Sequence, residues 1–240
     1  MANQQNQKSK SASQKIPRKK FRILIADDHE IVRHGLRNLI ESEENFQIIA
    51  EATNGRDAVQ LANQLKPDIV VLDIAMPDLN GIEATRQIHA ASPNTRIVVF
   101  TMHETENLVQ EIFRAGANAY VLKSDAGSHL LKALQAVIEG RHFFSSKVSE
   151  LIFEGFLRAS QAPTTSTQPS ISPETPRITT REREIIQLLA EGKSNKEVAS
   201  ILGISVKTAE THRAAIMRKL NLHSLSELVR YAIRNQIIEP

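Results

Sequence analysis

The stretch Ile69-Val70-Val71-Leu72-Asp73-Ile74-Ala75-Met76-Pro77-Asp78-Leu79-Asn80-Gly81 joins an apolar run to a carboxylate and then to a Pro/Gly loop. An apolar run without alternation reads as a strand buried on both faces, which calls for a parallel sheet covered by helices. Met76-Pro77 and Asn80-Gly81 end regular structure directly after Asp73, so the carboxylate belongs at a strand tip. The run Phe21-Arg22-Ile23-Leu24-Ile25-Ala26 ends in the same way on Asp27-Asp28. Two strands therefore deliver three carboxylates to one sheet edge.

Outward from these runs, strand-like segments at 21–26, 46–50, 69–72, 96–100 and 119–122 alternate with apolar stripes of helical period. These stripes are Val32/Leu36/Leu39/Ile40, Ala58/Leu61/Ala62/Leu65, Ile82/Thr85/Ile88, Leu108/Ile112/Ala115 and Leu130/Leu134/Val137/Ile138. The pattern predicts an α/β fold with a five-stranded, doubly wound parallel sheet over residues 21–145. The strand order expected for five such units is 2-1-3-4-5, whose ligand crevice lies beyond the carboxyl ends of strands one and three. Asp27, Asp28 and Asp73 fall there.

The 240 residues suffice for two ordinary domains, and the formal charge of +3 is unevenly spread. Residues 1–20 carry six Lys/Arg and no acid, residues 21–145 eleven against seventeen, and residues 177–240 eleven against seven. An acidic domain before a basic one predicts a cation site in the first and a polyanion partner for the second. The absence of cysteine excludes disulfides and thiol chemistry. Neither a signal-peptide core nor an apolar run near the roughly 18 residues of a membrane span is present. A cytoplasmic protein without a membrane partner is expected. Residues 1–20 read as a disordered basic tail, able at most to add phosphate contacts on nucleic acid. Residues 146–176 read as a helix extension, with the stripe Val148/Leu151/Ile152/Phe156, followed by a Pro/Thr/Ser linker.

Three converging carboxylates, with no cysteine or histidine counted among the donors, favour a hard cation, and Mg2+ suits Asp27, Asp28, Asp73 and a carbonyl such as that of Ala75. Beside Mg2+, Asp73 can act as a nucleophile that accepts a phosphoryl group. Thr101 ends the run Ile97-Val98-Val99-Phe100 and Lys123 follows Tyr120-Val121-Leu122, so hydroxyl and ammonium reach the same edge as donors for phosphoryl oxygens. Singly, each is an ordinary cap, turn or surface residue; together they define one crevice.

This set of an acidic pair, an acceptor Asp, a Thr and a Lys, in this order, resembles the receiver domain of bacterial two-component response regulators, a flavodoxin-like fold. The likeness covers about Phe21 to Phe144. It implies that a sensor histidine kinase phosphorylates Asp73. It also implies that Asp28 and Asp73 bind Mg2+ directly with Asp27 assisting, that Thr101 and Lys123 hold the phosphoryl group, and that Tyr120 is the aromatic that turns inward on activation. Asp78-Leu79-Asn80-Gly81 departs from the commoner loop wording, a difference expected to bear on partner contacts.

From Thr179 onward the caps predict a small all-α domain of four helices at 181–191, 195–202, 206–220 and 225–236, over residues 177–240. The turn Leu202-Gly203-Ile204-Ser205 marks a helix-turn-helix. Val198, Leu202, Ile204, Ile216 and Leu220 are its expected core, with the small Ala199 at the helix crossing. The segments Ile178–Glu184, Glu191–Ala199, Leu202–Thr208, Thr211-His212 and Ile216–Leu220 resemble the LuxR-type DNA-binding domain, and with the receiver in front the closest class is NarL/FixJ.

The third helix is expected in the major groove of double-stranded DNA, with Lys207, Thr208, Glu210, Thr211, Ala214 and Arg218 on exposed positions. Lys193, Ser194, Asn195 and Lys196, at the start of the second helix, are expected on phosphates. Glu210 either accepts from a cytosine amino group or points to solvent and pairs with Arg213. Ala209 stands where relatives mostly carry a β-branched residue. Leu225, Leu228, Val229, Ala232 and Ile233 form a stripe on the last helix, which by the likeness makes the homodimer contact on DNA. The reading is a phosphorylation-switched transcription regulator rather than an enzyme. The alternatives are an aspartyl-phosphate phosphotransferase or phosphatase, and a receiver that acts only as a protein-binding module. Opposite domain charges predict that the receiver covers part of the 206–220 helix before phosphorylation.

Overall fold

In the computed structural model, which describes residues 20–145, 148–150 and 178–238, a sheet domain is followed by a helical domain. The expected N-terminal tail up to residue 19, the linker, and the stripe beyond Val148 lie outside the described residues. Val148 itself is buried in the core of the sheet domain.

Six parallel strands run in the order β2-β1-β3-β4-β5-β6. They are β1 (Phe21–Ala26), β2 (Phe46–Ala52), β3 (Ile69–Leu72), β4 (Arg96–Thr101), β5 (Ala119–Leu122) and β6 (Phe143–Phe144). The order of the first five is the one expected; the correction is the sixth. Two residues are too few to show a period, and β6 forms because Phe143 and Phe144 extend the edge of β5 while Phe144 packs on Phe113 with ring centroids 4.6 Å apart.

The helices α1 (Glu30–Glu41), α2 (Gly55–Leu65), α3 (Gly81–Ala91), α4 (Glu106–Ala115) and α5 (Ala126–Ile138) cover both faces of the sheet. Strand residues alternate between the two sides, as the pleat requires. Leu24, Val70, Leu72, Val99 and Leu122 pack towards α2, α3 and α4, while Ile23, Ile25, Val71, Val98 and Val121 pack towards α1 and α5. All ten are essentially solvent-free, each contributing roughly 1.5–3 kcal/mol of hydrophobic stabilisation.

Register sets the site. Ala26 pairs with Leu72, Leu72 with Val99, and Thr101 with Leu122. The carboxyl ends of β1 and β3 are thereby level while β4 and β5 run two residues further, and Asp27, Asp73 and Lys123 are each the first residue beyond a strand. The loop after Asp73 closes on itself, because the Gly81 amide donates to the Ile74 carbonyl at 2.8 Å. Only glycine permits this approach: a Cβ on Gly81 would lie 2.0 Å from the carbonyl oxygen of Asp73.

The helical domain contains α6 (Thr180–Ala190), α7 (Asn195–Leu202), α8 (Val206–Lys219) and α9 (Leu225–Arg234), matching the expected elements. Thr179 and Ser194 form full capping boxes with Glu182 and Glu197, and Ser205 and Ser224 cap α8 and α9, each cap being worth about 1 kcal/mol. Gly203 ends α7 at a φ of 64° in the left-handed region, where a Cβ is disfavoured. Val198, Ala199, Ala209 and Ile216 are buried between α7 and α8, with Leu202, Ile204 and Leu220 packed partly buried against them. The small side chain at Ala209 therefore sits inside the core.

Candidate functional site

Asp73 and Asp27 are buried at the sheet edge, while Asp28 stands at its mouth. Lys123 Nζ lies 2.7 Å from Asp27 Oδ2 and 2.7 Å from Asp73 Oδ2. Only the Asp73 contact has the angle of a hydrogen bond, and Asp27 Oδ2 has no hydrogen-bond partner. The second Asp73 oxygen accepts from the Ile74 amide at 2.7 Å. Burial pushes the Asp73 carboxyl up from its ordinary range, with Lys123 opposing and Asp27 adding to the rise. For Lys123, burial works against the charge, yet the Asp73 and Asp27 carboxylates outweigh it and hold the ammonium above the usual lysine value.

Thr101 is fully buried, and its Oγ1 accepts from the His103 amide at 3.3 Å. Tyr120 is fully buried as well, and its hydroxyl donates to the His103 carbonyl at 2.8 Å. Burial first, and then the Asp73 charge, drives its pKa upward. Thr101 and Tyr120 are thus joined through the loop after β4. The ring is already inward in this structure.

A histidine joins the acidic pair, where carboxylate and carbonyl donors alone were expected. His29 Nδ1 lies 2.8 Å from Asp28 Oδ1 and 3.4 Å from Asp27 Oδ1. Its ring stands with both carboxylates as a potential ligand. The residue was visible directly after Asp27-Asp28, but a position two residues past a strand carries no directional signal. Arg33 was missed too; its guanidinium donates to the Asp27 carbonyl at 2.8 Å and pairs with Glu51. The carboxylates of Asp27 and Asp28, with Asp27 Oδ2 ion-paired to Lys123 but without a hydrogen bond, and the half-buried Ala75 form a donor set that fits a hard divalent cation.

In the helical domain, Lys207, Thr208, Glu210, Thr211, Ala214 and Arg218 are all exposed on α8. Glu210 pairs with Lys207 at 3.6 Å and not with Arg213, whose Nη1 instead donates to Asn195 Oδ1 at 3.4 Å. Both basic residues lie three positions from Glu210, and Arg213 is drawn instead to Asn195 on α7. The Thr211 hydroxyl donates to the Lys207 carbonyl at 2.9 Å. Ser194 caps α7 and Lys196 is exposed.

Comparison with known proteins is direct for both parts. Residues 23–135 match the response regulator receiver domain, and residues 176–232 match the bacterial regulatory proteins of the luxR family. The oxygen regulatory protein NreC of Staphylococcus epidermidis is 35% identical over 220 residues, covering 91% of this chain and 100% of that protein. The chain belongs to the NarL/FixJ class of response regulators. YxjL of Bacillus subtilis, an uncharacterized transcriptional regulatory protein, is 36% identical over 92% of this chain and 98% of its own length. Among solved structures, RcsB of Salmonella enterica serovar Typhimurium, bound to promoter DNA in the presence of phosphomimetic BeF3-, aligns with a TM-score of 0.54. It is 26% identical and covers 88% of this chain and 97% of that one.

The receiver meets the output domain, as opposite charges predict, but not over α8. The receiver contacts α6 and the C-terminal segment, and the exposed face of α8 is left uncovered. Gln187 Oε1 accepts from the Asn80 amide at 2.8 Å, and its Nε2 donates to the Met76 carbonyl at 3.0 Å. Asn80 Nδ2 donates to the Ile237 carbonyl at 3.3 Å, and Gln236 Nε2 to Thr105 Oγ1 at 2.9 Å. Glu184 takes Arg56 at 3.3 Å and Gln87 at 2.8 Å, while Arg183 pairs with Glu111 at 3.0 Å. Net domain charge misplaced the contact because the nearest pairs run both ways, with a receiver arginine on an output glutamate as well as the reverse. Lys193, expected on a phosphate, lies 3.7 Å from Asp78 of the receiver. A cavity of about 590 Å³ between the domains is lined by Asp28, Ala75, Met76, Glu191, Ile233 and Ile237, among others.

Proposed function

We propose that the chain is switched by transfer of a phosphoryl group from a sensor histidine kinase to Asp73, and that the switch controls binding of a homodimer to double-stranded DNA. The observation that carries this reading is the buried Asp27–Lys123–Asp73 bridge at the carboxyl ends of β1, β3 and β5. Asp73 attacks the phosphorus, the bond from phosphorus to the donor nitrogen breaks, and an acyl phosphate remains. Mg2+, held by Asp28, Asp73 and the Ala75 carbonyl with Asp27 assisting, would neutralise charge on the transferring group. Lys123 exchanges its carboxylate partners for a phosphoryl oxygen, and Thr101 supplies a hydroxyl. The altered loop after β4 then reaches Thr105 and Gln236 through His103, whose amide and carbonyl bond Thr101 and Tyr120.

Residues 21–145 act as receiver and 177–240 as output domain, joined by 146–176. DNA is read by Lys207, Thr208, Glu210, Thr211, Ala214 and Arg218, with Lys196, Ser194 and Asn195 on phosphates; Lys193 joins them once released from Asp78. A two-fold site with half-sites about one helical turn apart is expected. Among the described residues no helix is long and apolar enough to cross a membrane, which accords with a cytoplasmic regulator. A phosphotransferase enzyme would leave the attached DNA reader without a purpose.

Treatment with acetyl phosphate and Mg2+, followed by mass spectrometry of the borohydride-trapped peptide, tests the acceptor. Label on Asp73 and its loss in Asp73→Asn are expected. Uptake undiminished in Asp73→Asn would refute the assignment.

A further inference from the structure

The loop that follows Asp73 is held by the output domain as well as by the receiver. Within the loop, the Met76 amide donates to the Ile74 carbonyl at 3.1 Å, and the Gly81 amide closes on the same carbonyl. The Leu79 amide donates to the Pro77 carbonyl at 2.7 Å, and the Asn80 side-chain oxygen accepts from the Glu83 amide at 3.0 Å. Four further polar groups turn to the other domain. The Met76 carbonyl and the Asn80 amide are taken by Gln187, the Asp78 amide by Glu191 at 3.3 Å, and the Asn80 side chain by the Ile237 carbonyl. Asp78 adopts a φ of 64°, in the left-handed region, which costs about 1 kcal/mol for a residue with a Cβ and fits a loop shaped by its partner.

Gln187 is 1% exposed. Its amide oxygen accepts one bond and its nitrogen donates two, the second to Glu191 Oε1 at 2.8 Å. A buried amide so fully engaged enforces a geometry, because each lost partner leaves a desolvated group behind. The geometry it enforces lies beside the cation site. The Ala75 carbonyl and the Met76 amide belong to one planar peptide, and the Met76 carbonyl to the next. Gln187 pins the second plane while the Met76–Ile74 bond pins the first, so together they set the direction of the Ala75 oxygen.

We infer that Gln187 is a positioning residue for the Asp73 site: by fixing the Met76 and Asn80 peptides from the output domain, it orients the Ala75 carbonyl and links Mg2+ binding to domain docking. The inference rests on the reading of that site as the phosphoacceptor and Mg2+ centre. Because binding free energies are reciprocal, a docked output domain that favours Mg2+ must itself be favoured by Mg2+.

The test is calorimetric titration of the full chain with Mg2+ alone. Gln187→Ala should raise the Mg2+ Kd about 5-fold, the lower end of ordinary coupling between sites, with unchanged circular dichroism. Gln187→Glu keeps the acceptor for the Asn80 amide but sets a carboxylate against the Met76 carbonyl, and should weaken Mg2+ equally. Arg183→Ala removes the Arg183–Glu111 pair from the same interface without touching the loop, and, with docking shown to persist by an interdomain cysteine pair, should keep the wild-type Kd. In the otherwise cysteine-free chain, a Thr105→Cys, Gln236→Cys pair reports docking: Mg2+ should accelerate its oxidation, and Gln187→Ala should abolish that acceleration. An unchanged Kd in Gln187→Ala, or an equal shift in Arg183→Ala, would overturn the assignment to Gln187 while leaving the phosphoacceptor intact. Failure of wild type to bind Mg2+ at all, or undiminished binding in Asp73→Asn, would instead overturn the reading of the site, and this inference with it.

Discussion

Gly81 and Gly35 both lie in helices, yet replacing each with alanine should act in opposite directions. At Gly81 the new methyl would meet the Asp73 carbonyl oxygen at 2.0 Å, the Asp73 carbonyl carbon at 2.8 Å and the Ile74 Cα at 2.7 Å. All three are backbone atoms, so the clash is relieved only by moving the start of α3 more than an ångström away from β3. Overpacking of this kind costs about 1–3 kcal/mol, and stretching the Gly81–Ile74 hydrogen bond adds about 1 kcal/mol. Improved helix propensity returns at most about 1 kcal/mol. The net is a loss of about 1–3 kcal/mol from the receiver, or roughly 5–10 °C in Tm. At Gly35, inside α1, a Cβ meets nothing within 4 Å, so only the propensity gain of about 0.5–1 kcal/mol remains. Hydrogen exchange of the β3 and β4 amides reads the receiver separately from the output domain. Gly81→Ala should speed exchange there and Gly35→Ala should slow it. If Gly81→Ala left those amides as protected as in wild type, the close approach of α3 to the Asp73 carbonyl would be wrong.

Lys123→Ala removes the cation shared by Asp27 and Asp73; Mg2+ binding should persist while phosphorylation no longer raises DNA affinity, and a normal response would remove Lys123 from the switch. The Glu191 carboxyl is pushed above its ordinary value by burial against the receiver, with the Asp78 charge adding to the rise. Its contribution to docking is therefore full below the undocked glutamate pKa and is lost as pH rises through the docked one. Docking, read by the cysteine-pair oxidation extrapolated to a common thiolate fraction, should weaken with rising pH across that window, and Glu191→Gln should flatten the profile. Lys196→Ala should weaken binding to all DNA sequences alike and lower the salt slope by about one unit, whereas Thr211→Ala should cost about 1–3 kcal/mol on the preferred site and little elsewhere. Uniform losses from both, measured by selection from random DNA, would remove α8 as the reading element.

What the sequence made legible was what periodicity and caps determine. The five long strands, their order and the four output helices follow from apolar spacing and from Thr179, Ser194, Gly203, Ser205 and Ser224, each of which performs the local role its chemistry suggests. Asp27, Asp73 and Lys123 were placed because a strand tip is a position that sequence can mark, and parallel register does the rest. His29 and Arg33 were missed because side-chain direction just beyond a strand depends on tertiary packing. The interdomain surface was misplaced for a related reason: net charge is a long-range average, while the contact is decided at hydrogen-bond range by Gln187, Asn80 and Ile237. The departure at Asp78-Leu79-Asn80 was the one local sign of it, since that loop is where the output domain takes hold.

Control of DNA binding by modification of Asp73 can be read in a single titration. A duplex recovered by selection from random DNA would be titrated with the full chain, followed by fluorescence anisotropy, before and after treatment with BeF3- and Mg2+, alongside Asp73→Asn. The treated wild type should bind more tightly than the untreated, with cooperative loading of two chains, and Asp73→Asn should not respond. Equal affinity of treated and untreated wild type, or an undiminished response in Asp73→Asn, would show that Asp73 does not control DNA binding.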